Sequence, residues 1–178
     1  MDWIAMLHSL DWAVLEGISA LHCGFLDTVM PLVTSLGNAG WFWILLTVIC
    51  LCLKDYRRCG IAMAAALVLC LLIGNVLLKP LVARVRPFIE DPSISLLIQA
   101  PHDFSFPSGH SMTSFAPAVV LFAYHRRVGL CALVLAALIA FSRLYLFVHY
   151  PTDVLAGSLL GVGTGCLSVW LVRHIRRA

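Results

Sequence analysis

Val128-Gly-Leu-Cys-Ala-Leu-Val-Leu-Ala-Ala-Leu-Ile-Ala-Phe-Ser-Arg-Leu-Tyr-Leu-Phe-Val148 carries one charge, Arg143, in a run otherwise free of them. About 20 apolar residues cross the hydrocarbon core of a bilayer as a helix, so this segment has the length and composition of a membrane span. Four more apolar runs flank it: Trp41 to Leu53, Ile61 to Leu78, Met112 to Tyr124 and Val154 to Val172. The whole chain of 178 residues is 61% hydrophobic and 12% charged, with a net charge of +3 and a mean hydropathy of +0.96. Soluble domains average about 45–50% apolar and about 25% charged residues. This balance excludes a disordered chain, a basic nucleic-acid module and a water-soluble globule of this size. It leaves an all-α, polytopic membrane bundle of about five transmembrane helices, a single domain over residues 1–178.

Residues 1–36 read differently from the bundle at 37–178. Trp3, Ile4, Leu7, Leu10, Trp12, Leu15 and Ile18 alternate at roughly helical spacing with Asp2, Asp11, Glu16 and Asp27. That pattern predicts an amphipathic helical segment, lying in the interface or packed on the bundle. Met1-Asp-Trp-Ile is acidic where a signal peptide is basic, so no cleaved leader is expected. The run from Trp41 is short for a span and is expected to begin near Gly37. The run from Met112 is also short, and its start is expected within protein rather than lipid. Seven cysteines without a Cys-x-x-Cys pair suggest small core- or lipid-facing residues, neither a disulfide frame nor a zinc site.

Basic residues set the topology. Lys54, Arg57, Arg58, Arg126, Arg127, Arg173, Arg176 and Arg177 fall on one side of an alternating five-helix path, which the positive-inside tendency makes cytoplasmic. Lys79, Arg84, Arg86 and Arg143 fall at the opposite, outer end and so have a local task.

Three polar patches meet there. In Lys79-Pro-Leu-Val-Ala-Arg84-Val-Arg86-Pro87, Lys79 and Arg86 share a face if the backbone stays near-helical, although Pro80 biases Lys79 away from helical angles. In Phe106-Pro-Ser-Gly-His-Ser111, Ser108 is placed to cap a helix. Gly109 lets an anion approach the backbone there, and His110 adds an imidazole. In Ser142-Arg-Leu-Tyr-Leu-Phe-Val-His-Tyr-Pro-Thr-Asp153, an arginine inside an apolar span costs about 2.5–3.5 kcal/mol and calls for an anionic partner. Pro151 opens a helix and sets Asp153 in its first turn, near His149. A carboxylate there holds one imidazole nitrogen as N–H, leaves the other free to attack, and is expected to raise the His149 pKa. A structural Arg143–Asp153 pair is the plainer alternative. Glu90, Asp91 and Asp103, in the connection from 88 to 106, read as a solvated loop.

An excess of cations and a helix start suit a multiply charged oxyanion, and two histidines suit a nucleophile and an acid. Lys-x6-Arg-Pro at 79–87, Pro-Ser-Gly-His at 107–110 and Ser-Arg-x5-His-x3-Asp at 142–153 resemble the three-part signature of the type-2 phosphatidic acid phosphatases. That family shares its site with the vanadium haloperoxidases. The resemblance implies a metal-free, cofactor-free helical phosphatase. It implies that His149 is the nucleophile forming a phosphohistidine, Asp153 its orienter and His110 the acid for the leaving oxygen. Lys79, Arg86, Arg143, Ser108 and the Gly109 amide would bind phosphoryl oxygens; Arg84 is not a signature position, and Ser142 suits packing. Many bacterial members have six spans, and the five runs here resemble the short undecaprenyl diphosphate phosphatases of the family.

The expected activity is hydrolysis of a lipid phosphate or diphosphate at the outer face of a bacterial cytoplasmic membrane. Undecaprenyl diphosphate is the first substrate, then phosphatidylglycerophosphate and phosphatidic acid. Phosphoryl transfer between lipids is a second enzymatic reading. A proton-coupled transporter is the non-enzymatic one, disfavoured because the polar residues gather at one face. No nucleic-acid partner is expected, and no oligomeric state follows from the sequence.

Overall fold

The computed structural model describes residues 3–175, so Asp2, Arg176 and Arg177 lie outside the described residues. The regular structure of the described residues is all helical: α1 (Trp3–Ser19), α2 (Gly24–Ser35), α3 (Trp41–Cys52), α4 (Arg57–Cys70), α5 (Gly109–Tyr124), α6 (Arg126–Tyr145) and α7 (Pro151–His174). α4 continues as π-helix over Leu71–Leu78 and a last α-turn over Lys79–Val82. α5 is the central element, packed along its length by α6 and α7 and flanked by α4. α2 lies on α6, and α1 reaches both α6 and α7. Large apolar side chains such as Leu45, Val68, Leu72, Val134 and Leu159 stand exposed around this bundle, a surface suited to lipid.

The five apolar runs correspond to α3–α7, yet they are not five equal spans. Lys54–Glu90, Arg126–Tyr145 and Pro151–His174 are long and apolar enough to cross a membrane. Gly24–Ser35 and Asn38–Cys52, bent by 43° at their junction, qualify together as a fourth. α5 has 16 residues and buries Ser111, Met112, Ser114, Ala116 and Val120 among its neighbours. Protein therefore replaces lipid around it. A 3₁₀ turn over Asn38–Gly40 precedes α3, so the helix starts beside Gly37 as expected, but Ala39 and Gly40 take left-handed φ angles of 49° and 67° that kink it before Trp41.

Lys79 is helical despite Pro80, at φ −58° and ψ −53°. The wide π-helical turns ahead of it relieve the clash between a proline ring and the preceding turn. The expectation that Lys79 and Arg86 share one helical face fails all the same. Ala83 turns left-handed at φ 49°, and Arg86 is extended at φ −87° and ψ 154°. A second left-handed residue, Phe147 at φ 54°, follows α6, which ends three residues short of the apolar run.

Gly157, Gly161 and Gly165 recur every four residues on α7 and face α5. A Cβ built on them would meet Ser108 O at 2.5 Å, Met112 O at 2.6 Å and Ala116 O at 2.6 Å. Small residues at this spacing let two membrane helices approach at backbone distance. Gly161→Val should therefore force the helices apart at a cost of about 1–3 kcal/mol, seen as a lower Tm of the purified protein in detergent. An unchanged Tm would show that α5 and α7 are not in this contact.

Candidate active site

α5 starts where Ser108 caps it, its Oγ accepting from Ser111 N at 3.4 Å and from Ser111 Oγ at 2.9 Å. Ser108 N in turn donates to Asp153 O at 3.1 Å, so the starts of α5 and α7 are fastened side by side. α7 begins at Pro151, and Asp153 in its first turn accepts from Tyr150 N at 3.0 Å. Between α6 and α7 the turn at Phe147 carries His149 inward, where it is 1% exposed.

Arg86, 2% exposed, organises the centre. Its Nε donates to Asp103 O and its Nη2 to Asp103 Oδ1, both at 2.7 Å, and its Nη1 donates to Val148 O. Nη1 also lies 3.2 Å from His149 Nε2. A guanidinium only donates, so Nε2 presents its lone pair and the proton of the neutral imidazole sits on Nδ1. Nδ1 is 3.4 Å from Ser105 Oγ and 3.7 Å from Asp153 Oδ2. The expected direct bond from His149 to Asp153 is therefore replaced by a link through Ser105, whose Oγ donates to Asp153 Oδ2 at 2.5 Å. The upward shift expected for His149 is reversed as well. Burial, then Arg86, Arg143 and Lys79, push its imidazole well below the ordinary value.

A cavity of about 360 Å³ brings Lys79, Arg86, Gly109, His110, Arg143 and His149 together. Arg143 is 2% exposed and donates from Nη1 to Thr34 Oγ1 at 2.7 Å. Its Nε is buried with no hydrogen-bond partner among the described residues. The Arg143–Asp153 pair considered from sequence is not formed; the arginine paired with Asp153 is Arg84. A Cβ on Gly109 would stand 3.8 Å from Lys79 Nζ, so the bare start of α5 lies beside that cation. His110 Nε2 is 3.0 Å from Asn38 Oδ1, and a Cβ on Gly37 would come within 2.5 Å of its ring. Ser108 and Asp153 do not line the cavity; they stand behind it as cap and support. Ser142 bonds to Ile139 O at 2.6 Å within its own helix, as packing requires.

The loop acids Glu90 and Asp103 are exposed, as a solvated loop requires, yet each also has a partner in the fold. Asp103 pairs with both Lys79 and Arg86. Burial opposes its ionisation, but these two cations outweigh it and hold its pKa at about 2. Glu90 accepts from Tyr150 and pairs with His8. Asp91 has only a local role, accepting from Ser93 N and Ser93 Oγ in the turn that follows. Sequence reasoning also passed over Thr34 and Asn38, which no spacing connects to the motifs, and Ser105, which immediately precedes the Phe106-to-Ser111 patch.

A family model described as the PAP2 superfamily matches residues 59–177. The chain belongs to the PAP2 superfamily. Among PAP2 relatives, an undecaprenyl-diphosphatase of Sulfolobus acidocaldarius is 35% identical over 130 residues, which cover 72% of this chain and 63% of that protein. The chain thus spans less than two thirds of that relative. A putative undecaprenyl-diphosphatase of Escherichia coli is 37% identical over 148 residues, covering 83% of this chain and 68% of its own. The crystal structure of a transmembrane PAP2-type phosphatidylglycerolphosphate phosphatase from Bacillus subtilis matches with a TM-score of 0.76 and 27% identity. That match covers 99% of this chain and 88% of the other. The motif resemblance in the sequence and the all-helical membrane fold both agree with PAP2 membership.

Proposed function

We propose that this PAP2 protein hydrolyses lipid phosphates or diphosphates, undecaprenyl diphosphate foremost, through a phosphohistidine on His149. The observation that carries the reading is a cavity lined by three cations, one with an Nε that has no partner among the described residues, around the unprotonated Nε2 of His149. A lipid substrate also suits what adjoins it. A second cleft of about 640 Å³, walled by Ile44, Val48, Leu51, Leu67, Val68 and Leu71, shares Lys79, Asp103, Gly109 and His110 with the polar cavity. A phosphate held by the cations would have its hydrocarbon chain in that apolar cleft.

In this mechanism one Arg86 Nη1 N–H turns from His149 Nε2 to a phosphoryl oxygen, and the freed Nε2 attacks phosphorus, forming the N–P bond as the bond to the leaving oxygen breaks. His110 gives a proton to that oxygen. Lys79, Arg143, Arg86 and the Gly109 amide hold the three phosphoryl oxygens, supplying positive charge where negative charge builds up. Water then attacks the phosphohistidine, giving its proton to His110 and releasing inorganic phosphate and free His149. Turnover should survive EDTA, because protein cations do the charge stabilisation. Loss on chelation, restored by one divalent ion, would contradict the scheme. Purified protein assayed on a panel of lipid phosphates for released phosphate tests the reading and ranks the substrates.

The low basicity of His149 has a sign that can be measured. The neutral form attacks, and a depressed pKa keeps the ring neutral to lower pH. The acid limb of kcat/KM should therefore lie below the ordinary imidazole value of about 6.5. A limb above that value would contradict the cationic surroundings assigned to His149.

The site faces the outer side of the cytoplasmic membrane in this reading, which the basic residues at the other end of the helices support. Ser95 is exposed in the α4–α5 connection. A cysteine introduced there, with the exposed native cysteines removed, should react with an impermeant reagent on intact cells. Reaction only after the membrane is opened would reverse the orientation.

A further inference from the structure

We infer that Arg84 and Asp11 are positioning residues, a charged tie through which α1 and the end of α4 fix the carboxylate of Asp153 that stands behind His149. The inference rests on the proposed role of His149 as nucleophile. Arg84 Nη1 donates to Asp153 Oδ1 and to Thr152 Oγ1, each at 2.7 Å, while Nη2 donates to Asp11 Oδ2 at 2.7 Å. Asp11, on α1, also accepts from Thr152 N at 2.9 Å and from Thr152 Oγ1 at 2.6 Å, so it holds the first turn of α7. Asp11 is 2% exposed and Asp153 0%, and one guanidinium lies between these two buried carboxylates. That guanidinium stacks 4.0 Å over the Tyr150 ring, which limits its freedom to leave.

The tie also reaches the other oxygen of Asp153. Ser105 N donates to Arg84 O at 2.9 Å, and Ser105 Oγ donates to Asp153 Oδ2. Arg84 therefore fixes Oδ1 through its side chain and Oδ2 through its backbone hold on Ser105. Displacement of any member would swing Asp153 and Ser105 relative to His149 Nδ1. Charge is fixed by the same contacts. Arg84 offsets part of the field of Asp153 at His149, and Asp11 draws some of the Arg84 charge away.

These effects predict opposite consequences for two variants. The charged and titratable groups facing His149 are Arg86, Arg143, Lys79, Asp103, His110 and Asp153. Arg84→Gln leaves the Asp153 charge unopposed, favours the imidazolium and should raise the His149 midpoint by about half a unit to one unit. Asp11→Asn leaves the Arg84 charge wholly on Asp153 and should lower that midpoint. The measurement is an imidazole ¹⁵N NMR titration of the full-length, histidine-labelled protein in detergent, with His149 assigned by His149→Gln; it needs no substrate.

In parallel, kcat for Arg84→Gln on the lipid phosphate that the wild type hydrolyses best should fall about 10- to 100-fold with KM little changed. Arg84→Lys should keep the midpoint near the wild-type value while losing part of kcat, and it serves if Arg84→Gln does not fold. Leu7→Ala, on the same helix, should change neither. Midpoints that stay put, or that move the same way in Arg84→Gln and Asp11→Asn, would overturn the tie and leave these residues as clamps between helices. Absence of phosphate release by the wild type from every lipid tested would overturn the functional reading instead, with the NMR shifts still deciding the tie.

Discussion

Replacing His149 by alanine should abolish lipid phosphate hydrolysis, with kcat falling about 10⁴-fold or more, as for nucleophiles elsewhere. The expectation comes from geometry. Nε2 is held as a lone pair by an Arg86 N–H at 3.2 Å, and the cavity around it contains the cations that would receive a phosphoryl group. Lys79 and Arg143 remain in the variant, so substrate binding should persist while rapid-quench samples lose the phosphorylated protein. His110→Ala gives the complementary test. Its loss, about 10²- to 10⁴-fold for general acid catalysis, should be severe with an alkyl lipid phosphate. It should be mild with p-nitrophenyl phosphate, whose leaving group needs no proton. Equal losses on both substrates would remove His110 from the role of acid, and residual lipid turnover in His149→Ala would remove His149 from the role of nucleophile.

The helices were legible because lipid demands a compositional signal that a single sequence displays: five apolar runs, found again as α3–α7. Their ends were not, since these depend on left-handed turns at Ala39, Ala83 and Phe147, residues with no sequence preference for that conformation. The bent pairing of α2 with α3 was hidden behind the polar Gly37–Gly40 break, which reads as a boundary between segments. At the site, His110, His149, Lys79, Arg86 and Arg143 were legible because histidines and cations at the outer end of apolar runs need a purpose. Asp103, Ser105 and Asp11 were not. Asp11 meets Thr152 across 141 positions, and Asp103 stands in a polar loop whose composition suits solvent equally well. A carboxylate in a loop declares its partners only when the fold brings two cations to it.

Arg86→Ala should be nearly as damaging as loss of the nucleophile, with kcat/KM down about 10³-fold or more. One missing donor to a developing oxyanion costs about 10²- to 10³-fold by itself. Here the same group also ties the loop at Asp103 and Phe104 to the turn at Val148 and His149. Alanine leaves those carbonyls without their donor and frees the nucleophilic ring to rotate. Lysine restores a charge but not the fork that reaches Asp103, Val148 and His149 together, so Arg86→Lys should recover only a small part of the activity. Asp103→Asn separates charge from scaffold, because it keeps the carbonyl that Arg86 Nε bonds while removing the anion paired with Lys79 and Arg86. With no internal carboxylate competing for those cations, the lipid phosphate should bind more tightly and KM should fall. If Asp103→Asn raised KM and Arg86→Lys matched the wild type, Arg86 would be acting as a point charge held for substrate by Asp103, and the fork geometry would have no part in placing His149.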